Sequence, residues 1–310
     1  MDLLIQVGLL IIGFFMLVKG ADYFVDGAAG VATKFGIPQL VVGLTIVAMG
    51  TSAPEAAVSI TGAMSGAADI SVGNVVGSNI LNILIILGIT GVITSVAVQK
   101  STLFVEMPFM LAITVVLIVL GLTGNEITFV EGIIFWALFI VYLIYLYVLA
   151  KKGTEEEASE ERPVWKLVLF ILIGGAVVVW GANISVNAAT AIAQAIGISE
   201  KFIGLTIVAL GTSLPELVAS VTAARKGNAD IAIGNIVGSN IFNILFVLGT
   251  SALIIPIPYQ ASFLFDGIVA VAAGVLLWLV TIKKKALGRL GGAIMLVCYA
   301  AYLAYLLMQH

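Results

Sequence analysis

The stretch Gly43-Leu-Thr-Ile-Val-Ala-Met-Gly-Thr-Ser-Ala-Pro-Glu55 recurs 161 residues on as Gly204-Leu-Thr-Ile-Val-Ala-Leu-Gly-Thr-Ser-Leu-Pro-Glu216. The match runs without a gap to Gly88 and Gly249 and reaches back into the preceding apolar run, so residues 13–88 repeat as 174–249. A duplication of this length constrains the fold before anything else does, because both copies must take one architecture and bury equivalent faces. Each copy of the stretch also sets one glutamate, Glu55 or Glu216, among apolar neighbours.

Hydropathy decides which architecture that is. Hydrophobic residues make up 61% of the 310, charged residues 10%, and the mean hydropathy is +1.20, which excludes a water-soluble globule and indicates a polytopic membrane protein. A span needs about 20 apolar residues. Glycine, proline and polar punctuation divide the chain into ten such runs: 3–28, 38–64, 70–95, 102–122, 127–149, 164–190, 199–224, 231–254, 262–282 and 288–308. The expected fold is therefore all-α, with ten transmembrane helices, and the 33 glycines suit close helix packing in lipid. Met1 and Asp2 lead straight into the first run without a basic segment or cleavage site, so it reads as a span rather than a signal peptide. The single cysteine, Cys298, permits no intrachain disulfide and says nothing of redox compartment.

Each half, 1–150 and 164–310, holds five spans, and an odd number forces the second copy to enter the membrane from the opposite side. Such an inverted repeat creates a pseudo-two-fold axis in the membrane plane and places an ion or substrate site near the midplane. Basic residues in short loops set the orientation. One face receives Lys34, Lys100, Lys151, Lys152, Arg162, Lys166, Arg225, Lys226, Lys283, Lys284, Lys285 and Arg289; the other receives Lys201, with Lys19 inside the first span unassigned. Both termini are accordingly expected outside a cell membrane, with the linker in the cytoplasm. That linker, residues 151–163, is the one sustained hydrophilic run and reads as a solvated connection. A peripheral divalent-ion site on Glu155, Glu156, Glu157, Glu160 and Glu161 is the remote alternative, since a flexible acidic run has no preformed cage.

A glutamate at the bilayer centre costs roughly 2.5–3.5 kcal/mol or more and is kept where it faces a cavity, a partner or an ion. No Lys, Arg or His in a matching span core is available to neutralise Glu55 or Glu216. The two could be protonated structural glue, but their symmetric placement favours cation ligation. Pro54 and Pro215 have no N–H to offer the carbonyls of Gly50 and Gly211, so the helix should bend or loosen around Gly-Thr-Ser, and loosened backbone lining a cavity offers carbonyls to a cation. Helical spacing gathers Ala48, Thr51, Ser52 and Glu55 on one face, and likewise Ala209, Thr212, Ser213 and Glu216. In the third and eighth spans, Asn74, Ser78 and Asn82, and Asn235, Ser239 and Asn243, form polar stripes four residues apart. Ser78, Asn82, Ser239 and Asn243 are favoured as ligands; Asn74, Asn79, Asn235 and Asn240 are equally well explained by hydrogen bonds between helices. The glycine pairs Gly73/Gly77 and Gly234/Gly238 should admit a neighbouring backbone. The donors are all oxygen, without thiolate or imidazole, which suits hard cations, and Ca2+ takes six to eight oxygens. Two carboxylates balance one divalent ion, two monovalent ions or two protons, and that interchange is the physical basis of exchange.

Gly-Thr-Ser-x-Pro-Glu paired with Gly-Asn-x-x-Gly-Ser-Asn, twice in inverted halves, resembles the two alpha-repeats of the sodium/calcium exchanger family within the cation/calcium antiporter superfamily. Here the repeats cover about 38–95 and 199–254. The resemblance spans the membrane chain and lacks the cytoplasmic calcium-sensing domains of animal members. It implies alternating access and a central calcium site on Glu55 and Glu216 with the backbone oxygens of Thr51 and Thr212. It further implies flanking sodium sites lined by Ala48, Ser52, Ser78, Asn82, Ala209, Ser213, Ser239 and Asn243. It also implies that the first and sixth spans slide over an eight-helix core. Potassium-dependent members carry Asp where this chain has Asn243, which points away from potassium dependence.

The function expected is secondary antiport of Ca2+ against Na+, in the export direction, with a Ca2+/H+ exchanger as the alternative within the class. A cation channel is disfavoured because inverted broken helices around one cluster suit alternating access. An enzyme is disfavoured because His310 and Cys298 stand alone without a nucleophile–base pair. The partners expected are the two ions, with H+ as a further candidate, and the bilayer. No cofactor, nucleic acid or obligate protein partner is expected. Asp22, Asp26, Asp69, Asp230, Glu106 and Asp266 read as interfacial or structural acids, Asp69 and Asp230 as helix caps, and Tyr142, Tyr145 and Tyr147 as an interfacial belt.

Overall fold

The computed structural model describes residues 3–152, 160–197 and 209–309. Its helices are α1 (Leu3–Phe35), α2 (Gln39–Thr51), α3 (Ala53–Met64), α4 (Ile70–Ile93), α5 (Thr102–Leu122), α6 (Phe129–Lys151), α7 (Val164–Ala195), α8 (Ala209–Thr212), α9 (Leu214–Arg225), α10 (Ala229–Ile254), α11 (Ala261–Ile282) and α12 (Arg289–Gln309). Among the described residues eight helices are long and apolar enough to cross a bilayer, and the bent pair α2/α3 would make a ninth. The start of the seventh run with Lys201, the linker residues Glu155, Glu156 and Glu157, and His310 lie outside the described residues, as do the side chains of Asp69 and Ala209.

Burial sorts these helices into a centre and a periphery. The most apolar stretch of α10 is 94% buried and that of α4 72%, against 22% for α1 and 28% for α7. The helices bearing the two Asn-x-x-Gly-Ser-Asn segments are thus the axis of the molecule. Gly234 and Gly238 make that packing possible, because a Cβ on either would lie 3.0 Å from the Leu40 carbonyl or 2.7 Å from that of Leu44.

The two longest helices, α1 and α7, pack against each other antiparallel along a glycine ladder. A Cβ at Gly13 would fall 2.9 Å from the Gly181 carbonyl, at Gly20 2.8 Å from Val178 N, at Gly27 2.8 Å from the Leu167 carbonyl, and at Gly174 2.5 Å from Phe24 N. Seven residues are close to two helical turns, so these glycines share one face. Leu17, Ala21, Val178 and Ala182 form a small apolar core between the two helices, separate from the main one. Both helices outrun the sequence expectation, ending at Phe35 and Ala195. Asp22 and Asp26 therefore lie well inside α1, where Lys226 reaches them at 3.3 and 2.8 Å.

Two antiparallel ribbons close the ends of the bundle. β1 (Val96–Ala97) pairs with β4 (Ala286–Leu287), Val96 opposite Leu287, and β2 (Glu126–Ile127) pairs with β3 (Ile257–Pro258), Ile127 opposite Ile257. The spanning helix α5 separates β1 from β2, so the ribbons sit at opposite ends. Four π-helical turns interrupt the described helices, at Gly43–Val47, Asn82–Leu87, Thr102–Glu106 and Asn243–Leu248.

Of the three tyrosines expected in an interfacial belt, Tyr147 is exposed. Tyr142 is buried, stacked on Phe109 at 5.7 Å, and the Tyr145 hydroxyl donates to Glu106. Residues three apart share a helix face, and here that face turns toward α5 rather than the membrane boundary. Glu106, expected to be hydrated near a helix end, is likewise buried. Asp230 accepts a bond from Gln99 Nε2 at 2.6 Å instead of capping its helix.

Candidate ion-binding site

Each glutamate stands in the first turn of a helix that follows a break. Ser52 (φ −80°, ψ 9°) leaves the helical region between α2 and α3, whose axes meet at 51°. Ser213 (φ −88°, ψ 4°) does the same between α8 and α9. Pro54 and Pro215 occupy the first turns of α3 and α9, where a missing N–H breaks no helical bond. The loosening expected around Gly-Thr-Ser thus falls at the serine. It sets Glu55 and Glu216 at helix N-termini, whose dipoles favour a carboxylate, while the C-terminus of α2 turns its negative end to the same place.

Both glutamates are fully buried, and the two halves bind each other's acids. Ser52 Oγ donates to Glu216 Oε1 at 2.7 Å, and Ser213 Oγ donates to Glu55 Oε1 at 3.3 Å. Ser78 Oγ lies 3.5 Å from the same Glu55 oxygen, and Ser239 Oγ donates to the Ala48 carbonyl at 3.4 Å. Thr212, half-buried, immediately precedes Ser213 at the second break. Thr51 Oγ1 lies 3.0 Å from both the Val47 carbonyl and Asn235 Oδ1. The structure therefore gathers Ala48, Thr51, Ser52, Glu55, Ser78, Thr212, Ser213, Glu216 and Ser239 in one buried cluster. It adds Asn82 and Asn243, both buried, through a further layer of amides.

For Asn79 and Asn240, which the sequence left open between ligation and bonding between helices, the structure shows the second. Asn79 Nδ2 donates to the Asn240 carbonyl and Asn240 Nδ2 to the Asn79 carbonyl, each at 3.1 Å, across the duplication. The side-chain oxygens of this pair then accept the amides of two further asparagines: Asn82 Nδ2 donates to Asn240 Oδ1 at 3.0 Å, and Asn243 Nδ2 to Asn79 Oδ1 at 3.1 Å. With their nitrogens held, Asn82 and Asn243 turn their carbonyl oxygens the other way. Asn74 and Asn235 brace the broken helices, donating to the carbonyls of Glu55 (3.1 Å) and Glu216 (3.4 Å). The signal available beforehand was positional, since Asn79 and Asn240 precede Asn82 and Asn243 by three residues in both copies.

Four buried oxygens of this cluster have no hydrogen-bond partner: Glu55 Oε2, Glu216 Oε2, Asn82 Oδ1 and Asn243 Oδ1. They form two pairs related by the duplication. A buried acceptor without a donor costs about 1–3 kcal/mol, more when charged, and four in one place is a standing demand for positive charge. Among the described residues the ion pairs lie elsewhere, at Lys19, Arg162 and Lys226, and none reaches either glutamate. The donor set is two carboxylates with hydroxyl, amide and carbonyl oxygens, which suits a hard cation. A cavity of about 570 Å³ opens beside the break, between α7 and α2/α3, lined by Gly50, Ala53, Trp180 and Asn183 among others.

Comparison with known proteins agrees with this geometry. Residues 5–148 and 166–308 match the family model described as sodium/calcium exchanger protein. The chain is 36% identical to the inner membrane protein YrbG of Escherichia coli, over 89% of this chain and 90% of that one. It is 33% identical to the sodium/calcium exchanger MaX1 of Methanosarcina acetivorans, over 96% and 97%. The structure superposes on the sodium-calcium exchanger NCX_Mj soaked with Na+ and Sr2+ with a TM-score of 0.86 at 32% identity, covering 98% of this chain and 99% of that one. With the family model matched along both halves, a buried all-oxygen cluster at their junction and the fold of a solved exchanger, this chain belongs to the sodium/calcium exchanger family.

Proposed function

We propose that the protein is a secondary antiporter that exports Ca2+ in exchange for Na+ by alternating access. The observation that carries this reading is the quartet of unpartnered oxygens, Glu55 Oε2, Glu216 Oε2, Asn82 Oδ1 and Asn243 Oδ1, in a fully buried site. Two carboxylates neutralise one Ca2+, with Thr51 and Thr212 supplying backbone oxygens. Ala48, Ser52, Ser78, Asn82, Ala209, Ser213, Ser239 and Asn243 line the flanking positions for Na+. The site cannot hold both sets of charge at once, so the ions exclude one another, and exclusion coupled to a conformational switch is exchange.

The reading includes ten spans in two inverted five-helix halves, 1–150 and 164–310. The linker is cytoplasmic and both termini are outside the cell membrane. Its support is the ribbon pairing. β1 and β3 hold equivalent places in the two halves, yet β3 pairs with β2, at the end of the bundle away from β1, as an inverted copy requires. The moving body is the α1/α7 pair, which has its own small core and meets the site helix where Gly50 leaves room for Phe24.

Calcium-isotope uptake into liposomes under imposed Na+, K+ or pH gradients tests the proposal. Uptake driven by an outward Na+ gradient, and abolished by Glu55→Gln or Glu216→Gln, is expected. Wild-type uptake indifferent to every gradient would remove the antiport reading. A second reading, Ca2+/H+ exchange, rests on the same two carboxylates, which can take two protons; flux driven by a pH gradient in sodium-free vesicles would select it.

A further inference from the structure

We propose that a second, peripheral site for one alkali-metal cation lies between α5 and α6, built on Glu106. Three of the four π-helical turns among the described residues adjoin the central cluster: one leads into Ala48, and the others begin at Asn82 and Asn243. The fourth, Thr102–Glu106, ends on Glu106 and belongs to another helix, α5. A π turn widens the helix, leaves a backbone carbonyl without its usual partner and recurs at functional sites.

Glu106 is 1% exposed, and only one of its oxygens is satisfied, by the Tyr145 hydroxyl. Its other oxygen, Oε2, is buried without a partner, and so are Thr102 Oγ1 and the Tyr142 hydroxyl. Thr102 is one helical turn before Glu106, and Tyr142 lines with Glu106 and Tyr145 a cavity of about 110 Å³. That volume exceeds the roughly 30 Å³ share of one liquid water. A carboxylate satisfied as ordinary helix glue would leave none of these three oxygens orphaned. Among the described residues no lysine or arginine forms an ion pair with Glu106.

The chemistry of the donors selects the occupant. One carboxylate, one hydroxyl and one phenol, all oxygen, carry a single negative charge, which balances a monovalent hard cation and is too little for Ca2+. In the other half Asp266, half-buried, accepts a bond from the Tyr302 hydroxyl at 2.7 Å. A carboxylate–tyrosine pair thus occurs in both halves, and in the first it borders a cavity of about 110 Å³.

The site is separable from the central one. In full-length protein carrying Glu55→Gln and Glu216→Gln, equilibrium binding of 22Na+ and 86Rb+ is measured, together with the thermal midpoint in NaCl, KCl and choline chloride. One alkali ion per chain is expected to remain bound, Na+ or K+ being distinguished by the two isotopes, and the midpoint should rise with that salt but not with choline. Adding Glu106→Gln should abolish both effects, and Tyr142→Phe should weaken binding about tenfold. Absence of bound alkali ion in the background, or binding unchanged by Glu106→Gln, would overturn the proposal. Neither result bears on whether the central site exchanges calcium, because its glutamates are absent from the background.

Discussion

At the scale of single residues, the buried cluster is ordered by groups outside the proposed ligand set. Asn79 and Asn240 hold the nitrogens of Asn243 and Asn82, and so decide where two carbonyl oxygens point. Replacing Asn240 with Leu keeps the volume but leaves Asn82 Nδ2 without its acceptor. A loss of about 1–3 kcal/mol in stability is expected, with weaker calcium binding, read by thermal unfolding and calcium-isotope binding on the same sample. Stability unaltered with binding intact would show that the amide pair orients nothing. Outside the membrane, Glu160 accepts two bonds from the Arg162 side chain, at 2.8 and 2.7 Å, and that guanidinium holds its carboxyl down to about 2. A depressed carboxyl contributes stability above its unfolded value and loses it as pH falls toward 2. The pair is partly exposed, 40% for the Arg162 side chain and 12% for that of Glu160, so Glu160→Gln should cost about 1 kcal/mol at neutral pH. In a pH series of unfolding midpoints, that difference should shrink as the medium is acidified.

At the scale of elements, the α1/α7 pair is an apolar bearing whose surface is backbone. Gly174 has Phe24 N at 2.5 Å and the Gly20 carbonyl at 2.8 Å from where a Cβ would stand, whereas nothing lies within 4 Å of one at Gly8. Gly174→Val should wedge the helices apart, at a cost of about 1–3 kcal/mol, and slow exchange more than it lowers calcium affinity. Gly8→Ala should leave both unchanged. Initial uptake rates beside equilibrium binding separate the two effects. A Gly174→Val protein that exchanges at the normal rate would mean that close contact between these helices is not part of the transport cycle.

For the whole molecule, the two halves differ in charge where α1 meets the core. Lys226 binds Asp22 at 3.3 Å and Asp26 at 2.8 Å, while the equivalent positions in the other arrangement, Ser65, Asn183 and Asn187, are neutral. If α1 slides during exchange, opening at the Lys226 end must part these charges, and opening at the other end need not. Exposed ion pairs are worth about 0–1 kcal/mol, enough to shift a two-state population by up to about fivefold. Lys226→Gln should move the balance toward the state open at that end. Distances between spin labels on α1 and the α9–α10 turn would read the shift, and a distribution identical to wild type would exclude a latch.

The membrane class, the duplication and the all-oxygen donor set were legible from the chain alone, because hydropathy and repetition are written in consecutive residues. The sequence also placed Glu55, Glu216 and their serines together, since a helix face and a proline break are local. Tertiary structure decided what local rules cannot reach. Ser52 serves the glutamate of the other half rather than its own, Asn79 and Asn240 hold the amides of Asn243 and Asn82 on each other's helices, and Tyr142 and Glu106 lie inside the bundle although their place near a span end suits a boundary. Each of these depends on which helix comes to lie beside which, and that is settled by packing between segments more than a hundred residues apart or across a turn of chain, where side-chain spacing along one helix carries no information.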